Sequence, residues 1–360
     1  MAKTMKAAVV REFGQPLVIE ELPVPVPGPG ELLVEVVACG VCHTDLHAAE
    51  GDWPVKPAPP FVPGHETAGR VAALGGGVTN YKVGDAVGIA WLHDACGMCE
   101  YCITGWETLC EEQRNSGYSV DGGFAQYAIA SAAYAGRLPE DVDFARIAPI
   151  ICAGVTTYKG IKETETQPGH WIAISGLGGL GHIAVQYAKA MGMRVVGLDV
   201  AKEKLDLARS LGADAAFDAR SPDAVGQVLE LTKGGAHGVL VTAVSPPAFS
   251  QALQYVRRGG TVALNGLPPG DFPVPIFDVV LKRLTIRGSI VGTRFDLAQA
   301  IALAAEGKIK ANVNTAPLEE INHVFSELKA GRVDGRIVLD LTAARSEREL
   351  VGSAGAVSAG

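Results

Sequence analysis

Four of the chain's seven cysteines lie within the stretch DACGMCEYCITGWETLC, at Cys96, Cys99, Cys102 and Cys110. Two kinds of chemistry could use such a cluster, a loop closed by disulfides or a metal site. Tetrahedral zinc binds four thiolates, and cysteines three positions apart let one turn present two of them to the same ion. Because four protein ligands leave no open coordination position, a zinc ion held here would be structural.

The cellular compartment favours one of these two chemistries. The N-terminal segment MAKTMKAAVVREFGQ has no apolar run of signal-peptide length, and nowhere do about 20 apolar residues follow one another. We therefore expect a soluble, cytoplasmic protein, in which clustered cysteines bind metal more often than they form disulfides. The alternatives are free surface thiols and a nucleic-acid-binding zinc ribbon. Acidic side chains crowd the loop and argue against the ribbon: Asp94, Glu100, Glu107, Glu111 and Glu112.

The overall charge argues against polyanionic partners. The formal net charge is −8, and the chain has no basic block or Lys/Arg stripe. Phosphate backbones and anionic membranes would therefore repel it, and we expect neither nucleic-acid nor membrane binding. A length of 360 residues indicates about two domains, and a hydrophobic content of 48% is ample for their cores.

A glycine-rich segment in the second half has the pattern of a dinucleotide fingerprint. ISGLGGLG follows a hydrophobic strand and precedes a helix: Gly176 permits a tight turn, Gly178 lets a pyrophosphate approach the backbone, and Gly181 allows close helix–strand packing. The next predicted strand, RVVGLD, ends in Asp199, whose carboxylate can accept both hydroxyls of an adenosine ribose. The competing interpretation is that the glycines serve only a turn and Asp199 only caps the following helix.

The elements around these motifs follow two patterns. Residues 1 to about 150 contain short β-like runs separated by Pro and Gly, which predicts a compact, mostly antiparallel β domain. From His170, strands alternate with helices and predict a doubly wound parallel sheet. From about Gly292 a helix and extended segments return, which we expect to pack on the first domain. We expect the tail after Leu341 to be mobile. The six predicted strands of the parallel sheet are HWIAIS, RVVGLD, AAFD, HGVLVTAV, TVALNG and LTIRGS.

Three further residues could hold a catalytic metal. Cys42 and His65 lie in separate predicted loops, as the ligands of catalytic metals usually do, and Cys152 in PIICAGVTTY offers a third donor. Three protein ligands would leave a fourth position for substrate. Considered one at a time, these residues do not require a metal: His65 is then more readily interpreted as a hydrogen-bonded loop histidine, and Cys152 as a small buried hydrophobic residue. Their occurrence together beside a nucleotide fold favours the metal.

Up to about Leu341 the sequence resembles the zinc-dependent alcohol dehydrogenases of the medium-chain dehydrogenase/reductase superfamily. The motifs that carry the resemblance are GHETAGRVAALGGGV at 64–78, the four-cysteine lobe and GLGGLG. The resemblance implies a two-domain α/β protein with NAD in the cleft between the domains. The implied domains are a GroES-like, mostly β catalytic domain at 1–153 and 292–360, with a structural zinc lobe at 94–112, and a Rossmann domain at 154–291.

The resemblance also implies roles for individual residues. Cys42, His65 and Cys152 would bind the catalytic zinc, with Glu66 just behind the metal and Asp45 orienting His65. Thr44 and His47 match the proton relay of the family. The positions that match cofactor contacts are His43, Gly176, Gly178, Gly179, Leu180, Gly181, Asp199, Lys204 and Arg336. Cys39 alone among the cysteines is left without a role, and we expect it to be a buried thiol.

The function implied by the resemblance is zinc-dependent, NAD-linked oxidation of small primary alcohols, with two zinc ions per subunit. Trp53 and Trp91 match tryptophans that narrow the substrate channel of the tetrameric fermentative alcohol dehydrogenases of bacteria and yeast, although a lone Trp beside a turn is equally often a core residue. The alternatives are a zinc dehydrogenase for a polyol, a secondary alcohol or a glutathione adduct, and a cofactor-binding protein without catalysis. We expect a homotetramer, with a homodimer as the alternative, assembled through the sheet edge near residues 284 to 291.

Overall fold

A computed structural model describes residues 3–342, which divide into two compact units. One unit contains the chain up to Cys152 and the chain from Asn312 onward, and the other contains Ala153–Ala311. Of the C-terminal tail, which we expected to be mobile, residues 343–360 lie outside the described residues.

The first unit begins with short strands and a few short helices. Along the strand Tyr127–Ser131 buried residues alternate with partly buried ones, as expected of a sheet with one solvated face, whereas the longer strand Glu31–Val41 is buried along most of its length. Its elements up to Cys152 are β1 (Thr4–Val9), β2 (Val18–Pro23), β3 (Glu31–Val41), α1 (His43–Glu50), β4 (Glu66–Leu74), β5 (Ala86–Ile89), β6 (Leu92–Asp94), α2 (Glu100–Ile103), β7 (Arg114–Asn115), β8 (Tyr127–Ser131), β9 (Gly136–Arg137) and α3 (Phe144–Ile147), with 3₁₀ turns at Glu107–Leu109 and Ala148–Ile151.

The second unit alternates strands and helices. Its elements are α4 (Ala153–Glu163), β10 (Trp171–Ser175), α5 (Gly181–Ala190), β11 (Arg194–Asp199), α6 (Lys202–Ser210), β12 (Ala215–Asp218), α7 (Ala224–Thr232), β13 (Ala236–Val241), α8 (Pro246–Tyr255), β14 (Val256–Leu264), α9 (Ile276–Lys282), β15 (Thr285–Gly288) and α10 (Arg294–Ala305). The six strands pair in parallel in the order β12-β11-β10-β13-β14-β15, which confirms the predicted doubly wound sheet. The order reverses between β10 and β13, and in such sheets ligands bind beyond the carboxyl ends of the strands at this point.

The returning chain completes the first unit with β16 (Val313–Pro317), a 3₁₀ turn (Leu318–Glu320), α11 (Ile321–Lys329) and β17 (Arg336–Asp340). A sheet of seven strands results, in the order β16-β17-β3-β4-β5-β9 with β8 paired to β3. Every pair in it is antiparallel except β16–β17, which confirms the predicted mostly antiparallel β domain.

The structure moves the predicted domain boundary at Gly292. Helix α10 belongs to the second unit because it packs against α4 and α5, and the chain rejoins the first unit only at Asn312. Lys162 pairs with the buried carboxylate of Asp296 at 2.6 Å, and the Tyr187 hydroxyl donates to the carbonyl of Ala300 at 2.9 Å. The other boundary, predicted after residue 153, lies one residue earlier.

Each unit buries an aliphatic and aromatic core of its own. Leu32, Val34 and Phe124 are fully buried in the first unit, as are Ile172 and Tyr255 in the second. Across residues 3–342, no helix combines the length and the apolar character needed to cross a membrane.

Candidate functional site

The register of two neighbouring strands brings Cys42 and His65 together. Cys42 follows the last residue of β3, His65 precedes the first residue of β4, and antiparallel pairing sets Gly40 opposite Glu66. The cysteine and the histidine therefore lie at the same end of the strand pair. Cys152 follows a 3₁₀ turn that packs against these strands, and its Sγ lies 3.2 Å from Nε2 of His65.

The resulting cluster has the composition and size of a zinc site. One donor atom each of Cys42, His65, Glu66 and Cys152 lies within 4.8 Å of the others, and all four residues are buried. Donors held about 2.0–2.3 Å from a tetrahedral zinc lie about 3.3–3.8 Å from one another, so this spacing fits the ion. Oε2 of Glu66 is buried without a hydrogen-bond partner, as expected of an acceptor that faces a cation.

Asp45 orients His65 within this cluster. Oδ1 of Asp45 lies 2.8 Å from Nδ1 of His65, which leaves Nε2 directed at Cys152. The carboxylate is itself anchored by the backbone N–H groups of Cys42, at 2.9 Å, and Gly64, at 3.1 Å. Although burial opposes it, the negative charge of Asp45 raises the pKa of His65 well above its usual value. This geometry is the one expected of a residue that aims a metal ligand from behind.

Behind the cluster, Glu66 and Arg336 form a buried ion pair. A terminal nitrogen of Arg336 contacts Oε1 of Glu66 and donates to the carbonyl of Val41 at 3.2 Å. Burial raises the pKa of Glu66 to about 7, against the charge of Arg336, which lowers it. A side chain at Gly40 would collide with Oε2 of Glu66, so glycine at this position leaves the space that the carboxylate occupies. The guanidinium is thus engaged inside the first unit, and its predicted contact with a pyrophosphate stays a prediction.

Helix α1 carries the two predicted relay residues. A capping box between Cys42 and Asp45 holds its N-terminus, and Oγ1 of Thr44 lies 3.7 Å from Sγ of Cys42. His43, the predicted pyrophosphate contact, is the exposed first residue of the helix. His47 lies near the other end, with Nδ1 at 3.0 Å from both carboxylate oxygens of Asp52. Asp52 was not among the residues predicted from the sequence.

The two predicted pocket tryptophans are linked by a residue that the sequence analysis missed. The Tyr118 ring lies 6.3 Å from that of Trp53 and 5.2 Å from that of Trp91, between ring centroids. At the ends of this row, Trp53 stacks on His47 at 5.2 Å and Trp91 meets the edge of His65 at 5.4 Å. The Tyr118 hydroxyl donates to the carbonyl of Val55, which fixes the ring. Tyr118 lies in the turn NSGYSVDGG, which carries no periodic signal for such a role.

The four-cysteine lobe has the geometry of a second metal site. The sulfur atoms of Cys96, Cys99, Cys102 and Cys110 all lie within 4.8 Å of one another, and each is a free thiol. A common spacing of this size fits four ligands around one ion, whereas disulfides would bring sulfurs pairwise to about 2.05 Å. Backbone N–H groups of Met98 and Cys99 lower the pKa of Cys96 to about 7, whereas burial raises the pKa of Cys102 to about 12, so Cys96 becomes a thiolate more readily than Cys102.

Cys39, left without a role by the sequence, is a fully buried thiol within the described first unit. Its Sγ lies 3.4 Å from Oγ1 of Thr67, and it belongs to neither of the two cysteine clusters. Burial raises the pKa of this thiol well above its usual value, which disfavours the reactive thiolate.

The predicted fingerprint lies between β10 and α5, at the carboxyl end of the strand where the sheet order reverses. Gly176 has a φ of 92°, and a side chain at Gly181 would collide with the carbonyl of Gly176. The site of a Cβ on Gly178 faces open space, with only the Lys204 ammonium within 4 Å. Gly179 and Leu180 complete the turn, and α5 begins at Gly181. The loop is therefore shaped to bring backbone N–H groups to an anion.

Asp199, at the end of β11, braces this loop. Its Oδ2 accepts from the N–H of Leu177 at 2.7 Å, and its Oδ1 accepts from the N–H groups of Val200 and Ala201 at 2.7 and 3.0 Å. The interpretation of Asp199 as a cap therefore describes part of what the side chain does. Each carboxylate oxygen carries two lone pairs, so Oδ2 can still accept a ribose hydroxyl, whereas Oδ1 already accepts two hydrogen bonds.

Comparison with protein families gives two matches. The model for the alcohol dehydrogenase GroES-like domain matches residues 28–140, and the model for zinc-binding dehydrogenases matches residues 179–306. Alcohol dehydrogenases of Rhizobium meliloti and of a Moraxella strain are 61% and 60% identical to this chain over 338 residues. These alignments cover 94% of this chain and 99% and 100% of the two relatives.

Solved structures show the same architecture. An alcohol dehydrogenase from Aeropyrum pernix is 36% identical with a TM-score of 0.86, covering 93% of this chain and 100% of its own. An acetophenone reductase from Geotrichum candidum in complex with NAD is 32% identical with a TM-score of 0.83, covering 95% and 98%. A protein from Sinorhizobium meliloti bound to NADP is 27% identical with a TM-score of 0.86, covering 94% and 100%.

Proposed function

The chain belongs to the zinc-dependent alcohol dehydrogenases of the medium-chain dehydrogenase/reductase superfamily, and we propose that it interconverts small primary alcohols and aldehydes with NAD as its cofactor. That it is an alcohol dehydrogenase using zinc and a nicotinamide cofactor follows from the family. The observation that carries the finer proposal is the row of three aromatic rings beside the histidine of the catalytic cluster.

The catalytic zinc would be held by Cys42, His65 and Cys152, and the structural zinc by the four cysteines of the lobe. When bound, the catalytic zinc supplies a Lewis acid that polarises the substrate oxygen, and NAD supplies the hydride acceptor. Two thiolates offset the formal charge of the ion, so a proton acceptor is also required from the chain. Thr44, beside Cys42, and His47, at the solvent end of α1, are suited to carry the alcohol proton away.

A preference for NAD over NADP is supported by the position of Asp199 at the end of β11. The additional phosphate of NADP would meet this carboxylate, and two like charges about 4 Å apart cost about 4 kcal/mol at an effective dielectric near 20. That energy corresponds to roughly a thousandfold preference for NAD. The test compares kcat/KM for the two cofactors in the wild type, Asp199→Asn and Asp199→Ser. Asn keeps one acceptor oxygen, for either the Leu177 N–H or the N–H groups of Val200 and Ala201, and removes the charge. A preference lost equally in both variants therefore comes from charge, and equal kcat/KM values in the wild type would refute the proposal.

The proposed preference for short alcohols is supported by the row of rings formed by Trp53, Tyr118 and Trp91. Each methylene that a pocket excludes is worth about 1–3 kcal/mol in discrimination, so ethanol and propanol should be used better than branched, secondary or benzylic alcohols. Trp91→Ala and Tyr118→Ala should improve the larger alcohols relative to ethanol. Two variants serve as matched controls and should leave the order of substrates unchanged. Tyr118→Phe keeps the ring, and Trp106→Ala removes a tryptophan in the lobe.

The experiment that tests the proposed function measures zinc content and NAD reduction with ethanol, followed by kcat/KM across straight-chain, branched and benzyl alcohols. Two zinc ions and a decline with substrate bulk are expected. A wild type that prefers benzyl alcohol, a polyol or a secondary alcohol would support the alternative of a dehydrogenase for larger substrates. Zinc binding without any NAD reduction would contradict both.

Self-association as a homotetramer is supported by two separate apolar surfaces. Helix α9, which precedes the edge strand β15 in the chain and packs on β14, exposes Ile276, Phe277, Val280 and Leu281, and the lobe exposes Met98, Ile103 and Leu109. A tetramer with dihedral symmetry uses distinct isologous interfaces, whereas a dimer uses one. Light scattering should detect the tetramer, and Phe277→Glu should reduce it to a smaller species. A monomeric wild type would contradict this assembly.

A further inference from the structure

His47 is held on two sides by residues that follow helix α1. Its Nδ1 lies 3.0 Å from Oδ1 and 3.0 Å from Oδ2 of Asp52, and its ring stacks on that of Trp53 with 22° between their planes. The side chains of His47 and Asp52 are 27% and 44% exposed, so this pair lies where the protein meets water. A carboxylate is only an acceptor, and Nδ1 must therefore carry a hydrogen in this arrangement.

We infer that Asp52 is a positioning residue for alcohol oxidation, which holds the hydrogen of His47 on Nδ1 and thereby keeps Nε2 free to accept the alcohol proton. This inference rests on the proposed function. A neutral imidazole has one donor nitrogen and one acceptor nitrogen, and the partner of the first decides the identity of the second. Without Asp52, a fraction of the neutral His47 rings would carry the hydrogen on Nε2, which then cannot accept the alcohol proton.

The proton balance is simple. Oxidation of one alcohol sends a hydride to the cofactor and one proton to solvent. His47 gains that proton at Nε2, becomes an imidazolium beside the Asp52 carboxylate, and releases the proton from Nε2 to water or to a buffer base. Nδ1–H stays on Asp52 throughout, and the ring returns to its initial state.

The charged groups around the pair come from two helices. Lys329 of α11 is paired with Glu50 at 2.6 Å, and Glu50, with a smaller contribution from the charge of Asp52, raises the pKa of Lys329. Burial, with a smaller contribution from His47, lowers the pKa of His43 of α1. Glu50, at the end of α1, therefore offers a matched control. Glu50→Gln removes the same charge from the same surface but leaves the contact between Asp52 and His47 in place.

The test measures the rate of alcohol oxidation from pH 6 to 9, at low and high concentrations of a small base such as imidazole. The variants are Asp52→Asn, Asp52→Ala, Glu50→Gln, His47→Gln and the double variant His47→Gln/Asp52→Ala. Asp52→Ala should lose about two- to fivefold in rate, the amount expected of an exposed charge pair. The loss should grow as pH falls and should be relieved by imidazole, with zinc content and Tm unchanged. Asp52→Asn, whose amide oxygen can still accept from Nδ1–H, should lose less.

Two further readouts separate positioning from a merely structural role. In the His47→Gln background, Asp52→Ala should have no effect, because the residue acts only through His47. Long-range ¹H–¹⁵N spectra of the zinc-loaded protein without cofactor should show His47 protonated on Nδ1 in the wild type and Glu50→Gln, and a tautomer mixture in Asp52→Ala. The His47 signals are identified by their loss in His47→Gln.

The outcomes distinguish this inference from the proposed function. An active wild type with the same rate, imidazole dependence and tautomer in Asp52→Ala would overturn the inference alone. An unaltered pH profile in His47→Gln would overturn the inference and the relay through His47, but not alcohol oxidation. A wild type that reduces no NAD with any alcohol would overturn the proposed function, and this inference with it.

Discussion

Replacing Arg336 by leucine should destabilise the first unit more than it weakens cofactor binding. Arg336 is 4% exposed and Glu66, its partner, is fully buried, so the substitution leaves a buried carboxyl group unpaired. Breaking one side of a buried ion pair costs about 3–5 kcal/mol. In a folding unit of 150–250 residues, each 1 kcal/mol moves Tm by about 2–4 °C, so a decrease of about 6–20 °C is expected.

The assay follows thermal unfolding by circular dichroism and NAD affinity by fluorescence titration. Arg332→Leu is the matched control, because Arg332 pairs with Glu327 on the surface with 60% of its side chain exposed. An exposed pair contributes about 0–1 kcal/mol, so the control should unfold close to the wild type. Adding Glu66→Gln to Arg336→Leu should restore part of the loss, since no charge then stays buried alone.

The opposite pattern would refute this reasoning about Arg336. If Arg336→Leu unfolded within about 2 °C of the wild type and bound NAD much more weakly, the residue would act as the pyrophosphate contact that the family resemblance implies, and its pair with Glu66 would contribute little.

Two further predictions concern the lobe and a buried histidine. Cys99→Ser should lose one of two zinc ions and also much stability, because a structural zinc contributes about 10–16 kcal/mol of apparent binding energy. Cys42→Ser should lose activity first, and Cys39→Ala should keep both ions. Equal Tm values in Cys99→Ser and the wild type would contradict the assignment. Burial lowers the pKa of His93 below its ordinary value, so the unfolded chain takes up this proton at a higher pH than the folded chain and stability falls as pH decreases through about 6.5. Between pH 7 and 5.5, the free energy of unfolding should therefore fall less in His93→Phe than in the wild type, by up to about 1.4 kcal/mol per pH unit. An identical pH dependence of the unfolding free energy in the two proteins would show that His93 is not responsible.

Sequence patterns predicted the second unit well because its signals are local. Each of its six strands is a short apolar run, and the glycine fingerprint lies between the first strand and its helix. The boundary at Gly292 was misplaced because the membership of α10 depends on contacts with α4, such as that between Lys162 and Asp296, which lie 134 positions apart. Nothing in the amphipathic pattern of a single helix identifies the surface on which it packs.

Tyr118 and Asp52 escaped sequence analysis for a related reason. Each is a common residue in a turn, where periodicity gives no information about direction. The role of Tyr118 depends on its contacts with the rings of Trp53 and Trp91. The role of Asp52 depends on the position of the His47 ring, one turn before the end of α1. Such roles depend on tertiary neighbours that spacing along the chain does not describe.

The two cysteine clusters differ in how the chain encodes them, and this difference makes one easier to disturb than the other. The lobe holds its four sulfurs within a span of 15 residues, so its geometry depends on local turns around α2. The catalytic cluster depends instead on the register between β3 and β4, because only the pairing of Gly40 with Glu66 places Cys42 next to His65. A slip of one residue would turn every side chain of β4 to the opposite face and separate the ligands. Substitutions far along these strands, such as at the register shift between Val36 and Ala38, should therefore impair the catalytic cluster while leaving the lobe intact.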